Sequence, residues 1–198
     1  MQRYIEKVEP MTLPVLILDS ITVFPLIPIS FEVSSEAAIS ACERAEAADG
    51  MLFAVQRRPI ESEEQLESVK DAPGGETEGD DASSIISQVF SVGTVAKIRQ
   101  SVKLPEGTLR VFLEGTSRAT LSRCYDTASG LVADVIAKTI RVEDNGGIKG
   151  EALIHEINTA FDEFVKFLPR LSNELITAVK SIRNPGLLAD FVASNVLI

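Results

Sequence analysis

The apolar pattern of this chain changes its period at Asp144-Asn145-Gly146-Gly147, and that switch limits what the chain can fold into. Upstream, Val92, Thr94, Ala96, Ile98 and Val102 alternate with Lys97, Arg99, Ser101 and Lys103. A period of two marks a half-buried strand, antiparallel by preference. Pro105-Glu106-Gly107 reads as a turn and residues 109–113 as its hairpin partner. Residues 116–136 continue in the same style, with 131–136 the clearest strand. Downstream, Leu153, Ile157, Phe161, Phe164 and Leu168 fall on one stripe of a helix that Pro169 ends. Leu175, Ile176 and Val179 define a second helix, and Asn184-Pro185-Gly186 opens a third with Leu188, Phe191 and Val192 inward. The expected fold class is therefore α+β, with a β-rich lobe over residues 1–145 and a small helical lobe over 146–198.

The N-terminal third supplies further elements. Residues 13–18 are a short apolar run, closed by the turn signal Asp19-Ser20. A second extended segment, 21–33, is interrupted by Pro25 and Pro28. Proline has no N–H and a fixed φ, so two of them do not suit a central strand. Such a segment is either a core-facing edge or apolar surface held outward for a partner. Ser34 is placed to cap a helix over 35–48, Glu36 suits its positive end, and Asp49-Gly50 stops it. Ile39, Cys42 and Ala45 recur there at helical spacing, and 51–55 then reads as a buried strand.

Residues 57–90 break the pattern. The net charge of −10 is concentrated there, with nine acids against the single base Lys70 between Glu61 and Asp81, while the remainder carries only −2. A solvated acidic loop is expected, with a short helical turn near 63–69. The near-neutral body lacks the Lys/Arg footprint needed for nucleic acid or anionic membrane, so neither is an expected partner. No apolar run approaches the roughly 20 residues of a membrane span. MQRYIEKVEP has no apolar signal region, and Cys42 and Cys124 form no CxxC, so the chain reads as cytosolic with both cysteines as core fillers.

Catalytic constellations are absent from the sequence. There is no G-x-x-x-x-G-K-[ST] and no G-x-S-x-G elbow. His155 is the only histidine and sits beside Glu156 in an ordinary helical context. One histidine and two distant cysteines make no closed zinc site. The paired carboxylates Glu63-Glu64 and Asp80-Asp81 lie in the acidic loop, whereas catalytic carboxylates need a rigid, partly desolvated pocket. No covalent chemistry, cofactor or metal is expected of this chain by itself.

Three stretches in order resemble one family. LPVLILDSITVFPLIPISFEV (13–33), VGTVAKIRQSVKLPEGTLRVFLEGTSRATL (92–121) and NPGLLADFVASNVLI (184–198) look like the opening, the central block and the helical close of the N-terminal domain of Lon proteases. The resemblance implies a six-stranded PUA-like β pseudo-barrel followed by a helical lobe. It implies a non-catalytic role: engaging unfolded or damaged proteins and supporting assembly of a hexamer in the bacterial cytoplasm. ATP and Mg would belong to the ATPase module of a full-length Lon, which with its Ser-Lys peptidase module has no counterpart in these 198 residues. Two departures stand out. The 57–90 loop is longer and more acidic than usual, and the apolar ending Val196-Leu197-Ile198 suggests that the natural chain continues. A stand-alone protein-binding adaptor of the same fold, or an RNA-binding PUA-like module, are the alternatives.

Within this fold, Phe24, Leu26, Ile27 and Phe31 are candidates to present apolar surface to extended polypeptide. The competing expectation is that alternate residues such as Val23, Ile27 and Ile29 close the barrel, with the prolines guarding an edge. Leu104 and Pro105 at the hairpin tip are a second candidate contact, unless the tip folds back onto the barrel. The acidic loop is read as a solvated spacer or as a selector of basic substrates.

Overall fold

The structure is a computed structural model that describes residues 8–59, 85–138, 146–167 and 172–196. Six strands form one sheet: β1 (Val8–Leu18), β2 (Pro28–Val33), β3 (Met51–Gln56), β4 (Val92–Lys103), β5 (Leu109–Thr127) and β6 (Gly130–Lys138). The order is β2-β5-β4-β3-β1-β6, and β5 also pairs with β6, which closes five strands into a ring with β2 attached outside it. Closure depends on the length of β5. Its first half pairs with β2 and β4, and its second half reaches β6. This is the α+β pseudo-barrel expected. β1 and β3 are parallel, and the crossover between them carries helix α1 (Glu36–Ala47).

β1 and β3 read as continuous apolar runs because both faces of each are buried. Leu16, Leu18, Leu52 and Ala54 face the core that α1 covers with Ala38, Cys42 and Ala45. Leu13, Val15, Phe53 and Val55 face a second core with Val95, Ala119, Cys124 and Val135. The alternation expected of β4 holds for Thr94, Ala96 and Ile98, which are buried, and fails at the strand ends. Val92 and Val102 are exposed, whereas Val95 is buried. Val95 faces the second core and Ala96 and Ile98 the first, as adjacent residues of a strand buried on both faces must, and the register shift at Ile98/Gln100 adds a residue to β4 before the exposed Val102. The α1 cap is Ser35 rather than Ser34: its hydroxyl accepts from the Ala38 N–H. The 57–90 segment is anchored at both ends, with Arg57 bridged to Val89, residues 85–88 helical and Val89 inside the second core. The acidic run and the turn expected near 63–69 lie outside the described residues.

Burial pushes the Cys42 thiol up to about 12, helped by Glu46 and Glu43, and pushes Cys124 up to about 11, helped by Asp126. Folding thus favours the neutral thiols. Their contribution is complete below the ordinary value of 9.0 and is lost as pH climbs from there toward the folded values. Native protein at pH near 8 should resist alkylation by iodoacetamide at both cysteines, while denatured protein takes two labels by mass spectrometry. Rapid native labelling would contradict the burial described.

Three helices follow: α2 (Gly147–Val165), α3 (Asn173–Ser181) and α4 (Pro185–Val196). They enclose their own core of Ile154, Phe161, Val179 and Leu188, supported by Ile157, Val165, Ile176, Phe191 and Val192. The α2 stripe is rotated from the one expected. Leu153 is 56% exposed and Phe164 40%, and Ile154 and Val165 take the inward positions. α2 ends at Val165, and Leu168 and Pro169 lie outside the described residues. Ser172 caps α3 through the Leu175 N–H, and the Asn184 side chain accepts from Leu187 at the start of α4.

Candidate functional site

The proline-interrupted segment is not one extended run. Pro25 makes a single bridge to Gly115, the chain turns at Leu26, and only Pro28–Val33 joins the sheet. The Ile27 N–H points back to the Phe24 carbonyl at 3.4 Å. Pro25 supplies the fixed φ that the second position of such a turn favours, and Leu26 takes φ 60 at the third, a place suited to Gly or Asn. Leucine in that conformation is strained by about 1–2 kcal/mol. What holds it is the neighbouring pair β5 and β4. The Leu26 N–H donates to the Gly115 carbonyl at 2.8 Å, and Thr94 Oγ1 donates to the Val23 carbonyl at 2.6 Å.

The turn forms one wall of a cleft of about 340 Å³ whose other wall is the α3–α4 junction. Pro25, Leu26 and Ile27 face Ile182, Leu187 and Phe191 across it, with Arg183 also lining it. Leu26 is 40% exposed there. Phe24 lines a neighbouring groove of about 310 Å³ with Phe90, Val92 and Arg118. The Arg58 guanidinium stands over the Phe90 ring, 5.7 Å from its centre.

The candidate residues therefore separate. Leu26 and Ile27 meet in the cleft and Phe24 lines the neighbouring groove. Phe31 does not join them: on β2 it points into the α1-covered core and is only 9% exposed. Val23 is in that core and Ile29 packs against it, so these two face inward, although the ring itself is closed by β5 and β6. Leu104 is half-buried and Pro105 exposed at the β4–β5 tip, where the Leu104 N–H donates to the Thr108 carbonyl at 2.9 Å; neither lines the cleft. Below the tip, Lys103 Nζ lies 2.7 Å from Glu43 of α1. The wall contributed by Ile182, Leu187 and Phe191 was not singled out as a contact surface from sequence. A helical stripe shows which side is apolar, not what it meets.

Among the described residues no group of three or more His, Cys, Asp or Glu could hold a metal ion, and His155 is exposed on α2. Fold and site together define a pseudo-barrel domain with an apolar cleft at its junction with a helical lobe. Residues 12–198 match the family model of the ATP-dependent protease La (LON) substrate-binding domain, and the chain belongs to that family. It is 31% identical to the Lon protease of Brevibacillus choshinensis over 92% of its own length and 21% of the relative's. Lon protease 1 of Bacillus subtilis is 30% identical over 93% of this chain and 21% of that protein. The Lon protease of Escherichia coli K12 is 30% identical over 96% and 22%. The chain thus spans about a fifth of the length of the curated relatives it matches. Its fold is that of the N-terminal domain of the Mycobacterium avium complex Lon protease, with a TM-score of 0.67 at 18% identity, covering 95% of this chain and 84% of that one. No described helix is long and apolar enough to cross a membrane.

Proposed function

We propose that this domain engages unfolded or damaged proteins through the apolar cleft, as the recognition part of a bacterial cytoplasmic, Lon-type ATP-dependent protease. The observation that carries the reading is Leu26: a large apolar side chain left exposed, at a strained backbone position, in the wall of an apolar cleft. Strain of this kind persists where the surroundings enforce it and marks candidate functional sites. An apolar side chain buried by a ligand contributes about 1.5–3 kcal/mol, so a single cleft binds extended polypeptide weakly. Self-association in the full-length protein would turn several weak sites into useful avidity. ATP hydrolysis and peptide cleavage are assigned to parts of the protease outside these residues.

Leu26→Asn is the discriminating substitution. Asparagine tolerates positive φ, which offsets the packing lost from a partly exposed leucine, so the melting temperature should stay within a few degrees. Affinity for a reduced, alkylated, permanently unfolded model protein, read by fluorescence anisotropy, should fall about tenfold, the equivalent of 1.4 kcal/mol. Unchanged affinity would remove the cleft from the recognition surface.

A further inference from the structure

We propose that Arg118 and Asp190 form a latch that positions the helical wall of the cleft against the barrel wall. The inference rests on the reading of the cleft as the polypeptide site. The barrel cores and the helical core share no residue, so the junction between the lobes is not a continuous apolar interior. Across that junction an Arg118 guanidinium N–H donates to Asp190 Oδ1. Asp190 is only 5% exposed, a lone acid within Leu187-Leu188-Ala189-Asp190-Phe191-Val192, whereas the Arg118 side chain is 45% exposed. A carboxylate that deep is tolerated when paired and is costly to leave alone.

The placement ties this pair to the cleft rather than to folding of either lobe. Asp190 precedes Phe191 and lies one helical turn beyond Leu187, the two α4 residues that line the cleft. Arg118 is three residues beyond Gly115 on β5, where it pairs with Thr94 on one side and Lys138 on the other. Gly115 accepts the Leu26 N–H, and Thr94 holds the Val23 carbonyl. One short stretch of β5, braced by strands on both flanks, thus fixes both walls: the strained turn through Gly115 and α4 through Arg118. Arg118 and Asp190 are positioning residues. They hold the cleft without forming part of its apolar lining.

The test compares Arg118→Gln, Asp190→Asn and the double substitution in the intact chain. Dyes on Glu106→Cys and Ala152→Cys, both exposed sites, report the distance between the lobes by energy transfer, since the native cysteines are buried. Arg118→Gln strands the buried carboxylate, so it should broaden the distance distribution and weaken binding of the unfolded model protein about tenfold. The double substitution replaces the stranded charge with a neutral amide pair and should recover most of both losses. A melting curve for each variant separates latch from scaffold. Unchanged distance and affinity in Arg118→Gln would overturn the proposal, as would loss of helical structure in both Arg118→Gln and the double variant. If the distances respond as expected while even the unsubstituted chain fails to bind the probe, the latch stands and the polypeptide reading of the cleft falls.

Discussion

Gly115→Ala is expected to lower the melting temperature by about 6–12 °C and to abolish binding at the cleft. A Cβ at this position would sit 2.2 Å from the Phe24 carbonyl oxygen, 2.9 Å from its carbon and 3.1 Å from the Pro25 Cα. All three are backbone atoms, so no side chain can swing aside. The 24–27 turn must lift off β5, and the Leu26 N–H bond to Gly115 and the Pro25 bridge go with it. Forcing extra volume into so tight a contact costs about 3 kcal/mol. For a chain of this size each kcal/mol is worth roughly 2–4 °C. The same displacement moves Leu26 and Ile27 out of the cleft wall. Scanning calorimetry and anisotropy check the two halves of the expectation. A variant that melts with the parent would mean that the turn does not cross β5 this closely. Leu26→Asn and Gly115→Ala thus act on the same wall with different signatures, the first on binding alone and the second on binding and stability together.

Residues that pack against their own neighbours could be read from the sequence; those defined by a distant approach could not. The apolar run at 13–18 and the buried strand at 51–55 are both legible in the sequence, and the structure places them side by side in parallel. The 104–108 hairpin was legible from Pro105-Glu106-Gly107, and Gly107 does take φ 81 at the tip. The period of β4 is legible through Thr94, Ala96 and Ile98 but not at Val102, because the residue added at Ile98/Gln100 leaves no composition signal. On α2, Leu153 and Phe164 lie beside the inward stripe, so apolarity alone did not select between Leu153 and Ile154. Leu26 and Phe31 are the sharpest contrast. Both are large apolar residues of one segment, yet a turn pinned by Gly115 directs Leu26 to the cleft while strand pairing with Val111 directs Phe31 to the core. Asp190 did leave a trace, as the single acid in an apolar helical run, but its cation 72 residues away did not.

Phe161→Ala should unfold the helical lobe while the barrel remains folded. Truncating a buried phenylalanine costs about 3–5 kcal/mol. In the helical lobe that loss falls on a core of four buried side chains, Ile154, Phe161, Val179 and Leu188, with partly buried neighbours. So small a unit has little stability to spare. The barrel cores contain none of these residues, and the Arg118–Asp190 pair across the junction cannot compensate for a collapsed interior. Circular dichroism should show an early loss of helical signal in Phe161→Ala, followed by a main transition close to the parent's. Phe53→Ala, the same truncation inside the barrel, should lower the main transition instead, because Phe53 is fully buried in the second core. Binding of the unfolded model protein should vanish in Phe161→Ala at temperatures where the barrel is intact, since Ile182, Leu187 and Phe191 form half of the cleft. A single shared transition in both variants would show the two lobes to be one cooperative unit. Retained binding in Phe161→Ala would move recognition onto the barrel alone, and the groove beside Phe24 and Phe90 would then be the surface to dissect.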